Sequence, residues 1–157
     1  MSVTILGLDK EKSTVLVENL NGLLSNFQVY YQNLRGLRWN IKGKNFFELH
    51  VKFEEYYTDS QEKIDMIAER ILTLGGTPLH TFGDYSAKAK VPVGKSVSED
   101  VAAVTLVMNS LSELLKIERE ILNLSDDAED EGTNSMMSDF IAEQEKTIWM
   151  MNAWLDK

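Results

Sequence analysis

No cysteine occurs anywhere in the 157 residues. Disulfides and thiolate metal sites are therefore excluded, which fits a reducing compartment. Proline is nearly absent, at 2 residues, and glycine is held to 9. Few points force the backbone out of a regular element, so long helices are open to this chain. No run reaches the roughly 18 consecutive apolar residues that a membrane span needs. The opening Met1–Lys10 segment lacks a basic start, a long apolar stretch and a small-residue cleavage site, so no secretion signal is expected. Basic residues are in the minority: 16 Lys and Arg against 25 Asp and Glu, for a formal net charge of -9. A nucleic-acid backbone needs clustered Lys and Arg. Here Lys10 and Lys12 are offset by Asp9 and Glu11, and Lys157 stands alone at the other end. Strong direct binding to nucleic acid is not expected, nor is membrane association. A cytoplasmic location is expected.

What is present is helical periodicity. The length suits a single domain over residues 1–157. Leu16, Leu20, Leu23, Phe27, Tyr31 and Leu34 recur at three- and four-residue steps, which predicts one helix from about Leu8 to Leu37. Gly36 and the Arg38–Gly43 segment predict its end and a turn. Asn45, with Glu48 three residues on, predicts a capping box opening a second helix. Phe46, Leu49, Phe53, Tyr56, Tyr57, Ile64, Ile67, Ile71 and Leu74 supply its apolar side, and Gly75-Gly76 with Pro78 stops it. Such a helix would be roughly 45 Å long. Residues 77–97 break the pattern, with a short helix expected around Leu79, Phe82 and Tyr85. A third helix is expected from Ser96, capped with Glu99, to Leu124, and a fourth from Asp130 to Leu155. Val101, Val104, Met108, Leu111 and Leu115 face the core in the third, and Met136, Met137, Phe140, Ile141, Ile148 and Met151 in the fourth. Four long amphipathic helices with a long middle crossover predict an all-α four-helix bundle.

The second helix carries the residues with metal chemistry. His50 and Glu54 are one turn apart, and Asp65 and Glu69 are again four apart. Imidazole and carboxylate suit divalent iron. The plainer reading is that these acids form the wet face of a long helix. His50 and Asp65 are separated by fifteen residues, or about 22 Å along a straight helix. If both bind one metal, two chains must build the site.

The run Arg38-Trp39-Asn40, Gly43, Asn45-Phe46-Phe47-Glu48-Leu49-His50, then Asp65, Ala68-Glu69-Arg70-Ile71 and Leu74-Gly75-Gly76, resembles the signature of the Dps family. These are mini-ferritins, DNA-protecting proteins from starved cells. The likeness covers nearly the whole chain, including Ile148-Trp149-Met150. It implies a ferritin-like bundle whose long crossover contains a short helix, and a homo-oligomer of twelve subunits forming a hollow shell. It also implies ferroxidase activity: iron(II) is oxidised at sites across two-fold interfaces, commonly with hydrogen peroxide rather than oxygen, and stored as ferric mineral. By resemblance, one subunit offers His50 and its neighbour offers Asp65 and Glu69, with Glu54 near a second, weaker iron position. Trp39 matches a tryptophan beside the iron centre, where it would absorb oxidising equivalents; interface packing is the plainer role.

One departure stands out. The family usually carries histidine directly before the tryptophan, and this chain has Arg38. A guanidinium stays protonated and has no lone pair to give a metal. Three outcomes are open: Arg38 pairs with Asp65 or Glu69 and fills the site, it swings outward and leaves His50, Asp65 and Glu69 to hold iron weakly, or the site shifts toward Glu54, Glu62 or His50. The alternative to an active ferroxidase is thus a storage shell with impaired or absent oxidation. His80 is expected to be structural or exposed. Asp126, Asp130 and Glu131 correspond approximately to acids lining three-fold iron-entry pores, with Ser135 where a further aspartate is common. An ordinary acidic loop and helix start account for them equally well. A haem role for Met151 rests on weak evidence, since methionine at core spacing is usually packing.

Overall fold

The apolar residues spaced by three and four become the buried seams of four long helices. A computed structural model of the chain describes residues 3–157. Met1 and Ser2, the start of the segment read for a leader, lie outside them. The helices are α1 (Lys10–Asn40), α2 (Phe46–Thr73), α3 (Phe82–Lys88), α4 (Asp100–Asp127) and α5 (Glu131–Trp154). Helix α1 pairs with α2 and α4 with α5, as two hairpins packed together through α1 and α4. The short α3 rides in the crossover against α1. This is the expected all-α bundle. No described helix is long and apolar enough to cross a membrane.

Leu16, Leu20, Leu23, Phe27 and Leu34 on α1 meet Phe53, Ile67 and Ile71 on α2, Leu111 and Leu114 on α4, and Met137 and Phe140 on α5 in one buried core. Each such side chain contributes about 1.5–3 kcal/mol by leaving water. Several expected core positions differ, and Leu115 and Ile141 are among those only half-buried. Tyr31 is only half-buried, because the neighbouring Tyr30 takes the inward position. Val101 is exposed, because the inward register of α4 begins at Ala103 and Val104.

The helix ends also correct the sequence expectation. Helix α1 passes through Gly36 and continues to Asn40, so Arg38 and Trp39 are helical. Leu37 and Ile41 are buried there, and their packing outweighs the roughly 1 kcal/mol that a mid-helix glycine costs. Asn45 does not cap α2 with its side chain. Its amide donates instead to Asp100 at 2.6 Å, and this bond holds the Asp100 carboxyl below its ordinary range. Ser96 does not cap α4; Glu99 does, accepting from the Val101 and Ala102 N–H groups. Ser96 sits four residues before the helix with φ of 59°, outside capping geometry.

Three buried asparagines of α1 hold the crossover down. Asn21 bonds Thr77 and Leu79, Asn26 accepts from Lys90 and Val91, and Asn33 bonds Pro92 and Gly94. Each side chain satisfies two backbone groups that the extended crossover cannot pair with itself. The loop thereby keeps a fixed path over α1.

Ser13 Oγ, Gln144 Oε1 and both carboxylate oxygens of Glu118 are buried without a hydrogen-bond partner among the described residues, and only Glu118 is ionisable. Glu118 of α4 is fully buried. Burial pushes its carboxyl up to about 8, opposed weakly by Gln144, Lys63 and Arg119. The folded value lies above the ordinary 4.5. Stability tied to Glu118 is therefore fullest below that value and is lost as pH rises toward 8. Glu118→Gln should be more stable than wild type above pH 8, by a few kcal/mol as an order of magnitude. Urea unfolding across the range should show the gap widening with pH; a constant gap would refute it.

Candidate metal centre

The sequence candidates fall into two groups on α2. Near its start, Arg38 from the last turn of α1 and His50 from α2 are linked twice. His50 Nδ1 lies 2.9 Å from the Arg38 carbonyl oxygen. Arg38 Nη1 in turn donates to the His50 carbonyl at 2.8 Å and forms an ion pair with Glu54 Oε2 at 2.9 Å. A carbonyl oxygen can only accept, so in the neutral ring the proton sits on Nδ1 and the lone pair on Nε2. A histidine oriented this way by a carbonyl is set to ligate through its other nitrogen. Phe46 stacks on the ring, with centroids 4.9 Å apart and planes 22° from parallel, and restricts its rotation. The i, i+4 spacing of Phe46 and His50 is a signal from which the stack could have been found, whereas the Arg38 bonds depend on how α1 packs against α2.

Asp65 and Glu69 form the second group. Both are exposed on the same unbroken helix, and among the described residues neither has an ion-pair partner within the chain. They are not brought to His50. Among the described residues, no three His, Asp or Glu side chains gather where they could hold one metal ion. Glu54 and Glu62 instead line an open trough with Val51, Glu55, Thr58 and Asp59. Trp39 is 58% exposed, with the Arg35 guanidinium 5.0 Å from its ring centroid. His80 is exposed and its Nδ1 meets the Pro78 carbonyl oxygen.

The acidic patch divides in the same way. Asp126 and Glu131 are exposed, but Asp130 is buried. Its carboxylate caps α5, accepting from the Thr133 N–H at 3.0 Å and hydroxyl at 2.6 Å. It also pairs with Arg70 at 2.6 Å, and Arg70 Nε donates to Thr133 Oγ1. Gly132 gives the guanidinium room, since a Cβ there would lie 2.8 Å from Arg70 Nη1. This knot ties the end of α2 to the start of α5, and local sequence gave no sign of it, because its partners are sixty residues apart.

A family model of the ferritin-like domain matches residues 17–157. A DNA protection during starvation protein of Porphyromonas gingivalis is 41% identical over 98% of this chain and 96% of its own length. The crystal structure of the Dps protein from Vibrio cholerae O1, described as ferritin-like and diiron-carboxylate, superposes with a TM-score of 0.96. It is 48% identical and covers 99% of this chain and 98% of that one. This chain belongs to the Dps family. A further Dps structure, from Bacillus brevis, matches with a TM-score of 0.90 at 33% identity, over 92% of this chain and 97% of that one. An uncharacterized protein of Haemophilus influenzae is 48% identical over 98% of this chain and 96% of its length. The Dps fold thus extends over essentially all of the chain, including the asparagine-anchored crossover.

The two kinds of acid should respond differently to mutation. Asp130→Ala leaves Arg70 without its buried partner and removes a cap, which should cost about 3 kcal/mol or more. Asp126→Asn and Glu131→Gln should stay within about 0.5 kcal/mol of wild type. Thermal unfolding of the three variants checks this, and equal melting points would contradict the separate structural role of Asp130.

Proposed function

We propose that this chain is the subunit of a Dps-type iron-storage shell in which Arg38 impairs the iron-oxidising step. The observation that carries the reading is the position of Arg38 Nη1, hydrogen-bonded to the His50 carbonyl and ion-paired with the Glu54 carboxylate. Iron(II) is the substrate and ferric mineral the cargo. The reading places the oxidation site between subunits, with His50 from one and Asp65 and Glu69 from the next, because α2 holds these residues too far apart within one chain. Twelve such subunits would enclose the mineral, in the cytoplasm.

Arg38 acts against iron in two ways. Its fixed positive charge repels the incoming dication: at about 5 Å this is about 2 kcal/mol even with the dielectric of water, and more in a partly buried site. That alone lowers affinity more than tenfold. It also engages Glu54, one of the carboxylates the site would otherwise use. What remains is the His50 Nε2 lone pair and two exposed acids. Those three groups favour a second reading, a weak but working ferroxidase. In either reading, two iron(II) ions each lose one electron to one hydrogen peroxide, which takes up two protons and leaves as two waters. Molecular oxygen is the other candidate oxidant. Trp39 lies beside Arg38 in sequence and would intercept stray oxidising equivalents.

Asp126 and Glu131, repeated around a three-fold opening, would concentrate iron(II) by their negative potential. The charge of -9 supports cation uptake and disfavours direct binding to the DNA phosphate backbone.

The test is to titrate the metal-free assembly with iron(II), follow peroxide-dependent oxidation, and locate iron by anomalous diffraction. Wild type should oxidise iron near the background rate, with little iron between His50 and the partner acids. Arg38→His should raise the initial rate tenfold or more and bring iron to that position. Rapid wild-type oxidation with iron held there would overturn the impaired reading in favour of the second.

A further inference from the structure

The outer stripe of α2 is complementary to itself. Phe47, Val51, Glu54, Thr58, Asp65, Glu69 and Leu72 recur at three-, four- and seven-residue steps and are all exposed. Phe47 and Leu72, 81% and 58% exposed, are large apolar groups at opposite ends of the helix. A two-fold interface brings residue i against j and j against i. Antiparallel α2 helices crossing level with Asp59 and Ser60 would set Phe47 of each copy against Leu72 of the other. The same crossing puts His50 level with Glu69 of the partner subunit, and Glu54 level with Asp65 of the partner subunit. One centre therefore satisfies both the apolar and the charged positions, which commits the occupant of this face to a second copy of the chain.

That packing creates a charge problem at each end. Glu54 would face Asp65 and Glu69 of the partner subunit, gathering three carboxylates in one place. Such a cluster needs a cation. The structure already supplies one. Arg38 lies between His50 and Glu54, with Nη1 committed to their oxygens. Its Nη2 and Nε donors have no partner within the chain among the described residues. Those donors form the planar fork that binds carboxylates in pairs.

We infer that Arg38 replaces a bridging metal ion: its free donors clamp Asp65 and Glu69 of the partner subunit, so the two-fold interface closes without metal. The inference rests on the shell reading above and adds to it a role for the residue that impairs oxidation. The interface is then sensitive to salt, since ion pairs at a solvent-accessible rim are screened.

A double-mutant cycle tests the clamp. Wild type, Arg38→Ala, Asp65→Ala with Glu69→Ala, and the triple variant are purified in chelator, and the two-fold dissociation constant is measured by sedimentation. Both partial variants should weaken the interface tenfold or more. The triple variant should be no weaker than the worse of the two, because either change already removes the clamp. Arg38→His should weaken the interface in chelator as Arg38→Ala does, because the imidazole cannot reproduce the guanidinium fork. Losses that multiply in the triple variant, or no loss in any variant, overturn the clamp while leaving the shell reading intact. A wild type that assembles only with iron(II) overturns the clamp and the impaired-site reading together. A wild type that forms no shell with or without iron(II) removes the shell reading itself, and the clamp with it.

Discussion

An α-helix cannot fold back to bring its own distant residues together, and α2 runs unbroken from Phe46 to Thr73. Everything about the candidate centre follows from that rigidity. His50 is fixed at one end and Asp65 with Glu69 toward the other, so one chain does not bring them together. The bundle maintains the separation, because Phe53, Ile67 and Ile71 anchor the inner side of the same helix in the core. Exposed acids on the outer side are then held at a fixed distance from His50.

The half-site at the start of α2 is strongly organised for a place so near a turn. Arg38 and His50 exchange bonds through backbone carbonyls, and Phe46 and Glu54 fix the two side chains from either side. A histidine held with its lone pair outward is chemistry for a metal. An arginine beside it, charged at every physiological pH, is chemistry for carboxylates. The two residues compete for the same anionic partners. In the function proposed above, that one arginine decides between metal and ion pair.

Elsewhere most of the buried polar groups are paired. The asparagines of α1 exchange their amide bonds for control of the crossover path. Arg70, Asp130 and Thr133 satisfy one another at the junction of α2 and α5. Lys63 is buried but paired with Asp59 and Glu143 at 2.6 and 2.7 Å, and those bonds sustain its charge against the cost of burial. Glu118 lacks such partners among the described residues, and its burial favours the neutral carboxyl.

The periodicity of Leu16 through Leu34, and of Phe53 through Ile71, was enough to read the helices, because a helix stripe is written in local spacing. The impossibility of a one-chain site was equally legible, since it needs only the rise per residue. Helix ends were read less well: Gly36 and Ser96 carry strong local signals that packing of Leu37 and capping by Glu99 override. Asp130 looked like any other member of an acidic run, and only its contact with Arg70 on another helix separates it from Asp126 and Glu131. The sequence by itself determined which groups this protein can use and how far apart along a helix they must lie. The tertiary structure decided which of them are already engaged, because the Arg38 bonds to His50 and Glu54 exist only once α1 has docked against α2.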